Sequence, residues 1–324
     1  MTVRIGVIGT GFGARVVAPV FDATDGCEVV EVVSARNDAD VANLCDRRDV
    51  DLITVHSPPF RHVSHVRRAL ASGHAVLCDK PFGVRASDAE ALLAAAEAAE
   101  CLHLANFEFR YDPMREMLRT LVRDGAVGRP ERVLWTHWSS GSRVPLRPYG
   151  WLFERALGGG WLGAWGSHAI DALRWIFGDV LDAHGQCRTM IDVRPDAEGV
   201  GHPCDAEDSF TGWLTLDGGT GVTIDSTFVA AASIAPRIVV AGEEGVLECI
   251  ADARIVLRRA DGTRETHERP PAEGDPHFEP MRRWALVVRD AVEAGSAPPG
   301  TPTFADGLAC ARVLDALGRQ PAIA

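Results

Sequence analysis

A chain of 324 residues with 46% hydrophobic and 24% charged side chains can bury a substantial core and is long enough for two domains. Its formal net charge of −12 repels nucleic acid and anionic membrane surfaces, so neither is an expected partner and a small molecule is. The eight cysteines are scattered, with no C-x-x-C pair and no His/Cys set at zinc spacing, which predicts reduced thiols, a cytoplasmic setting and no metal.

The chain opens on an apolar, β-branched run, residues 3 to 8, that passes directly into "GTGFGA" (Gly9 to Ala14) and then a helix-like stretch. No cleavage site follows that run, and no apolar run approaches about 18 residues, so neither a signal peptide nor a membrane span is expected. G-x-G-x-x-A between a strand and a helix is a dinucleotide turn. Gly9 makes the tight bend, Gly11 lets the backbone approach a pyrophosphate, and Ala14 lets the helix pack on the strand. A second strand, "CEVVEVVSAR", ends where a NAD-binding protein usually sets an acidic residue on the ribose 2′-hydroxyl. Here the residues are Ser34, Ala35 and Arg36. A hydroxyl and a guanidinium suit a 2′-phosphate, so NADP is the expected cofactor in preference to NAD.

Only 14 residues separate Arg36 from Asp51, room for one helix and not for helix, strand and helix. The strand over 27–34 is therefore expected to cross directly to the strand over 51–56. The alternation then continues through "VDLITVHS", "RHVSHVRRALASG", "AVLC", "SDAEALLAAAEAAE" and "CLHLANF", the pattern of a doubly wound parallel sheet. Such sheets bind ligands beyond the carboxyl ends of their strands, where "HSPP", "DKP" and "NFEFR" fall. His62 and His65 lie three apart with no third ligand at a suitable spacing and read as packed histidines.

Lys80, in "HAVLCDKPFG", is the one lysine among 33 basic residues. Arginine cannot release its proton and presents a broad fork, whereas a lysine ammonium is compact and titratable. A chain that keeps a single lysine at a strand end is expected to use the ammonium itself there.

In this order, the glycine turn, "SPPFRH", "DKP" and "GGGWLGAWGSHAIDAL" resemble the Gfo/Idh/MocA family of oxidoreductases, matching its T-P-P-x-x-H, E-K-P and G-G-G-x-L-x-D-x-G-x-H-x-x-D motifs. "EDSFTGWLTLDGGTG", "GEEGVLEC" and the closing stretches near "RRWALVVRDAVEAG" and "FADGLACARVLDAL" extend the resemblance over nearly the whole chain. It implies an N-terminal Rossmann domain over residues 1–119, with its outer third strand missing. It also implies a C-terminal α+β domain over 120–324, whose open, mostly antiparallel sheet carries helices on one face and makes a homodimer or homotetramer contact through the other.

The resemblance implies a cofactor site of Gly9, Gly11, Phe12, Gly13, Ser34, Arg36, Ser57, Pro58, His62, Asp79 and Lys80. A substrate site of Asn106, Arg110, Trp151, Trp165 and His168 would go with it. Lys80 would donate to the substrate oxygen as hydride leaves, and His168, in the G-x-H motif, would act as general acid or base. Where the family commonly has Asp, four residues before that histidine, this chain has Ala164, so the usual proton relay lacks its carboxylate. Asp171 reads as structural.

Five of the eight tryptophans (Trp135, Trp138, Trp151, Trp161, Trp165) fall within 31 residues, interleaved with His137, Arg143, Arg147 and Tyr149. An indole stacks on the C–H face of a sugar or cyclitol, although at least half of the five are expected in the core. The expected activity is an NADP(H)-dependent oxidoreductase moving hydride between nicotinamide and a hydroxyl or carbonyl carbon of a sugar-like substrate. Two alternatives stand beside it: a cofactor-binding sensor without turnover, for which Ala164 speaks, and glycoside cleavage by transient oxidation.

Overall fold

The computed structural model describes residues 2–270 and 274–318. Its helices are α1 (Ala18–Asp22), α2 (Asp38–Cys45), α3 (His62–Ala71), α4 (Ala86–Ala99), α5 (Pro113–Arg123), α6 (Ser167–Phe177), α7 (Phe278–Ala294) and α8 (Phe304–Gly318). Two compact units divide the chain, Met1–Tyr111 with Gly274–Arg312, and Asp112–Glu273 with Val313–Ala324.

The first unit holds a sheet of β1 (Val3–Ile8), β2 (Cys27–Val33), β3 (Leu52–Val55), β4 (Ala75–Cys78) and β5 (His103–Ala105). All pairs are parallel, in the order β2-β1-β3-β4-β5. The strands are short runs of Val, Ile and Leu because both faces are covered. Val3, Ile5, Val7, Leu52 and Leu77 pack on one side with Phe21 of α1 and Met281, Trp284 and Val288 of α7. Ile8, Val55, Val76 and Cys78 pack on the other with Leu44 of α2, Val66 of α3, Leu92 of α4 and Phe304 and Leu308 of α8.

The single crossover is present: Asn37 caps α2 by accepting the N–H groups of Ala39 and Asp40, and β3 then pairs with β1. The sheet therefore ends at β2, which takes one extra residue, Val30, where its register on β1 shifts between Ile5 and Gly6.

The second unit holds β6 (Pro130–Trp138), β7 (Val180–Arg188), β10 (Ser209–Leu216), β11 (Gly221–Thr227), β12 (Arg237–Gly242), β13 (Gly245–Ile250), β14 (Arg254–Arg259) and β15 (Arg264–Glu268), with a side hairpin of β8 (Val193–Pro195) and β9 (Gly201–Pro203). The order of the large sheet is β15-β14-β13-β12-β6-β11-β10-β7, antiparallel except where β11 meets β6. Burial alternates along its strands, as in β10, where Phe210, Gly212, Leu214 and Leu216 turn inward. One face is covered by α5, which packs on α6, β13 and β14, and by Trp165, edge-on to Trp135 of β6. Among the described residues nothing covers the opposite face, which shows Trp213 (49% exposed), Leu134 (43%) and Trp138 (41%).

The boundary read from the sequence at residue 119 falls inside α5. That helix starts at Pro113 because Asp112 caps it, accepting the N–H groups of Met114 and Arg115. The division lies instead between Tyr111 and Asp112, and Gly274–Arg312 returns to the first unit because α7 and the first part of α8 close its two faces. Among the described residues no helix is long and apolar enough to cross a membrane, and all eight cysteines are free thiols.

Candidate active site

Five parallel strands send their carboxyl ends to one rim of the first unit, and polar residues singled out in the sequence follow them. The turn after β1 is forced by its glycines. Gly9 has φ +138°, and a Cβ there would lie 2.6 Å from the His56 carbonyl oxygen; a Cβ on Gly13 would press on Val7 and His56. A Cβ on Gly11 would meet nothing within 4 Å, so the middle of the turn faces open space. The helix that follows opens with a π-type turn over Gly13–Val17 and continues as α1. Bare backbone beside open space at a helix start is the cradle a pyrophosphate requires, and these residues fit a dinucleotide.

At the end of β2, the Ser34 hydroxyl accepts the Arg36 N–H at 3.3 Å. The Arg36 side chain is exposed, with no partner among the described residues. Ser57, after β3, is held from behind: His62 Nε2 lies 2.7 Å from its carbonyl oxygen and His65 Nδ1 lies 3.0 Å from its hydroxyl. His62 is fully buried, which drives its pKa down. The two histidines thus fix the Ser57–Pro58 bend, with His62 beneath the rim.

Lys80, two residues past β4, is joined to Pro81 by a cis peptide bond. Its main chain is anchored by the side chain beside it. Asp79 Oδ1 accepts the Lys80 N–H at 2.9 Å and Asn106 Nδ2 at 3.3 Å, while Oδ2 lies 3.2 Å from His56 Nδ1. Asn106 Oδ1 in turn accepts Trp284 Nε1 at 3.0 Å. Burial alone would raise the Asp79 pKa, but the hydrogen bond with His56 and the nearby charge of Lys80 outweigh it and hold the carboxyl well below its usual range. Asn106 is fully buried with both ends of its amide engaged. Arg110 is also buried, donating to Asp306 at 2.8 Å and to the Gly300 carbonyl at 3.2 Å.

A pair far apart in the sequence sits on the same unit. Glu108, three residues past β5 and fully buried, has its Oε1 2.6 Å from Nδ1 of His277. The His277 ring meets Phe12 of the glycine turn edge-on, centroids 5.0 Å apart, and lies 4.9 Å from the Phe109 ring.

In the second unit, His168 lies buried in the first turn of α6. Trp165, one turn earlier, is the hub of an aromatic cluster: it stacks with Trp161 and meets Trp135 and His137 edge-on, with Phe210 tilted against it. Trp161 lies flat on Phe228 and donates Nε1 to the Ser226 hydroxyl at 2.8 Å. Ala164 packs against the apolar group of Leu152, Phe153, Cys204, Phe228 and Val229. Trp135 and Trp165 are core, while Trp151 is 37% exposed on a short 3-10 turn. The residue underrated in the sequence is His137, whose alternation on β6 with Trp135 was the available signal. Its ring is wedged edge-on against both Trp161 and Trp165. Burial, helped by the positive charge of Arg115, pushes its pKa down to about 4, so it is neutral at physiological pH.

Comparison with known proteins adds a family to this geometry. The model of the oxidoreductase family with NAD-binding Rossmann fold, GFO_IDH_MocA, matches residues 3–107, and that of the GFO/IDH/MocA C-terminal domain matches residues 116–248. An uncharacterized oxidoreductase of Synechocystis sp. is 30% identical over 261 residues, covering 75% of this chain and 70% of that protein. D-apiose dehydrogenase of Paraburkholderia graminis is 27% identical over 310 residues, 89% of this chain and 76% of that one. Among solved structures, levoglucosan dehydrogenase in complex with NADH has the same fold, with a TM-score of 0.86 over 98% of this chain and 96% of that chain at 20% identity.

Proposed function

The chain belongs to the Gfo/Idh/MocA family of NAD-binding oxidoreductases, and on that premise we propose that it oxidises a hydroxyl-bearing carbon of a sugar, cyclitol or related polyol with NADP, or performs the reverse reduction. The observation that carries this reading is the chain's one lysine at the end of β4, with its main chain fixed by the Asp79 carboxylate. The nicotinamide supplies the hydride acceptor. The Lys80 ammonium donates to the substrate oxygen and stabilises the negative charge that grows on it, and His168 serves as acid or base. Gly9, Gly11, Phe12 and Gly13 hold the pyrophosphate. The unengaged Arg36 and the Ser34 hydroxyl favour a 2′-phosphate, hence NADP over NAD. The sugar class is supported by the names of the relatives, a D-apiose dehydrogenase and a levoglucosan dehydrogenase. The bare face of the large sheet, with Leu134, Trp138 and Trp213, is offered as the contact of a homodimer or homotetramer.

The test is a panel of sugars and polyols with NADP and NAD, followed by absorbance of the reduced nicotinamide, and then Lys80→Met on the substrate found. Turnover is expected to fall about 10²-fold or more while the NADPH dissociation constant stays within about threefold. Lys80→Arg, keeping charge but not compactness, is expected to be impaired almost as much. An arginine variant at full speed refutes the role given to the ammonium. Ala164, packed in an apolar cluster where the family motif has a carboxylate, favours a second reading, a cofactor-binding sensor without turnover. NADPH binding with no oxidation anywhere in the panel selects it.

A further inference from the structure

The stretch leading into α6 has Ala164 where the family motif has a carboxylate, and the first unit carries a carboxylate–imidazole pair that no part of that motif calls for. Glu108 and His277 stand 169 residues apart in sequence, and His277 lies outside both segments matched by the family models. Their geometry is that of an acid–base dyad. A fully buried carboxylate lies 2.6 Å from one ring nitrogen, and the ring is held on two sides by Phe12 and Phe109. The His277 main-chain N–H donates to Asp275 at 3.0 Å, which pins the backbone as well. The side chain of His277 keeps 25% of its surface exposed, so a proton on it can pass to water. Its contact with Phe12 sets it against the glycine turn, on the unit whose rim also bears Lys80.

We propose that His277 is a further acid–base residue of the oxidoreductase reaction and that Glu108 positions it; this rests on the dehydrogenase reading above. As the C–H bond of the carbinol carbon breaks, its electron pair leaves as hydride to the oxidised nicotinamide. The hydroxyl O–H bond breaks and its electrons form the C=O bond. The released proton goes to Nε2 of His277. Nδ1–H donates to Glu108 throughout, so the carboxylate fixes the tautomer that leaves Nε2 basic and balances the imidazolium that forms. Proton loss from His277 to water resets the pair.

Two measurements test this. Proton NMR of the full chain with NADPH bound is expected to show a far-downfield imidazole N–H that disappears in both Glu108→Gln and His277→Ala. Its absence, or its persistence in Glu108→Gln, overturns the dyad. With the substrate found by the panel, His277→Ala is expected to lose about 10²-fold in kcat with NADPH affinity within about threefold, and added imidazole is expected to restore turnover in proportion to its concentration. Glu108→Gln, which keeps shape and loses charge, is expected to lose about tenfold or more in kcat. Full activity of His277→Ala, or a loss shared with NADPH binding and untouched by imidazole, overturns the proposal. A wild-type chain that oxidises nothing sinks the dehydrogenase reading instead, and an active wild type with an equally active His277→Ala sinks this inference alone.

Discussion

Asp79 in the first unit and His137 in the second are held by opposite means. At the rim of the first, Asp79 is the shared acceptor of His56, Lys80 and Asn106, and the chain of bonds continues to Trp284. In the second, His137 is held by shape, edge-on between Trp161 and Trp165, with its Nδ1 buried and without a partner among the described residues. A hydrogen-bonded network fails donor by donor, because each lost acceptor orphans groups already out of water. An aromatic cluster fails by volume, because what is lost is contact area and a cavity takes its place.

That contrast is exposed to test. Trp165→Ala removes the ring that touches Trp135, His137, Trp161 and Phe210, and is expected to cost about 3–5 kcal/mol in denaturant unfolding. Trp213→Ala, on the bare face, is expected to stay within about 0.5 kcal/mol for the isolated chain; equal costs would mean that the cluster is not what orders this unit. Asp79→Asn changes almost no volume but faces an amide N–H₂ toward donors, and about 1–3 kcal/mol is expected. If it is neutral, the rim is held by packing after all and the comparison collapses.

Arg36→Asp, at a position tied into neither arrangement, is expected to leave stability unchanged. It should move the ratio of NADPH to NADH dissociation constants by about tenfold or more toward NADH, since a charge-assisted phosphate contact contributes about 1.5–3 kcal/mol. Unchanged relative affinities would remove Arg36 from the cofactor site.

The smallest effect concerns pH. The folded-state pKa of His137, about 4, lies below the ordinary value of 6.5, so between those values the unfolded chain binds the proton and the folded one does not. Stability from this group is complete above about pH 6.5 and drains away as pH falls toward 4. His137→Phe keeps the edge contacts and is expected to flatten that part of the pH dependence of the unfolding midpoint. His65, with a pKa of about 4 for the same reason of burial, leaves a residual slope in both proteins.

What was legible in the sequence was whatever is local or forced by chain length. The glycine turn, the lone lysine at a strand end and the single crossover after Arg36 all follow from stretches of fewer than about 20 residues, where spacing dictates geometry. Pairings across long separations were not legible. Nothing in the segment around His277 announces Glu108, and nothing in "NFEFR" shows that Arg110 is spoken for by Asp306. Likewise an amphipathic helix shows that it has a buried face but not which sheet it covers, and so the sequence places α7 and α8 with the C-terminal domain although α7 and the first part of α8 close the first sheet. The tryptophans mark a further limit, since the same residue type reads alike whether it is a hub, as Trp165 is, or an exposed ring, as Trp151 is.

Leaving out a strand has a cost in solubility that the chain answers locally. With no sixth strand beyond it, β2 offers a row of unpaired backbone groups to any passing β-segment, the usual route to edge-to-edge aggregation. Three features blunt it: the extra residue at Val30, which twists the edge away; Glu28, tied to Arg4 at 2.6 Å; and Glu31, tied to Arg47 at 2.9 Å. A second strand laid along this edge would have to accommodate that kink and lie beside two charged side chains, both of which disfavour edge-to-edge pairing.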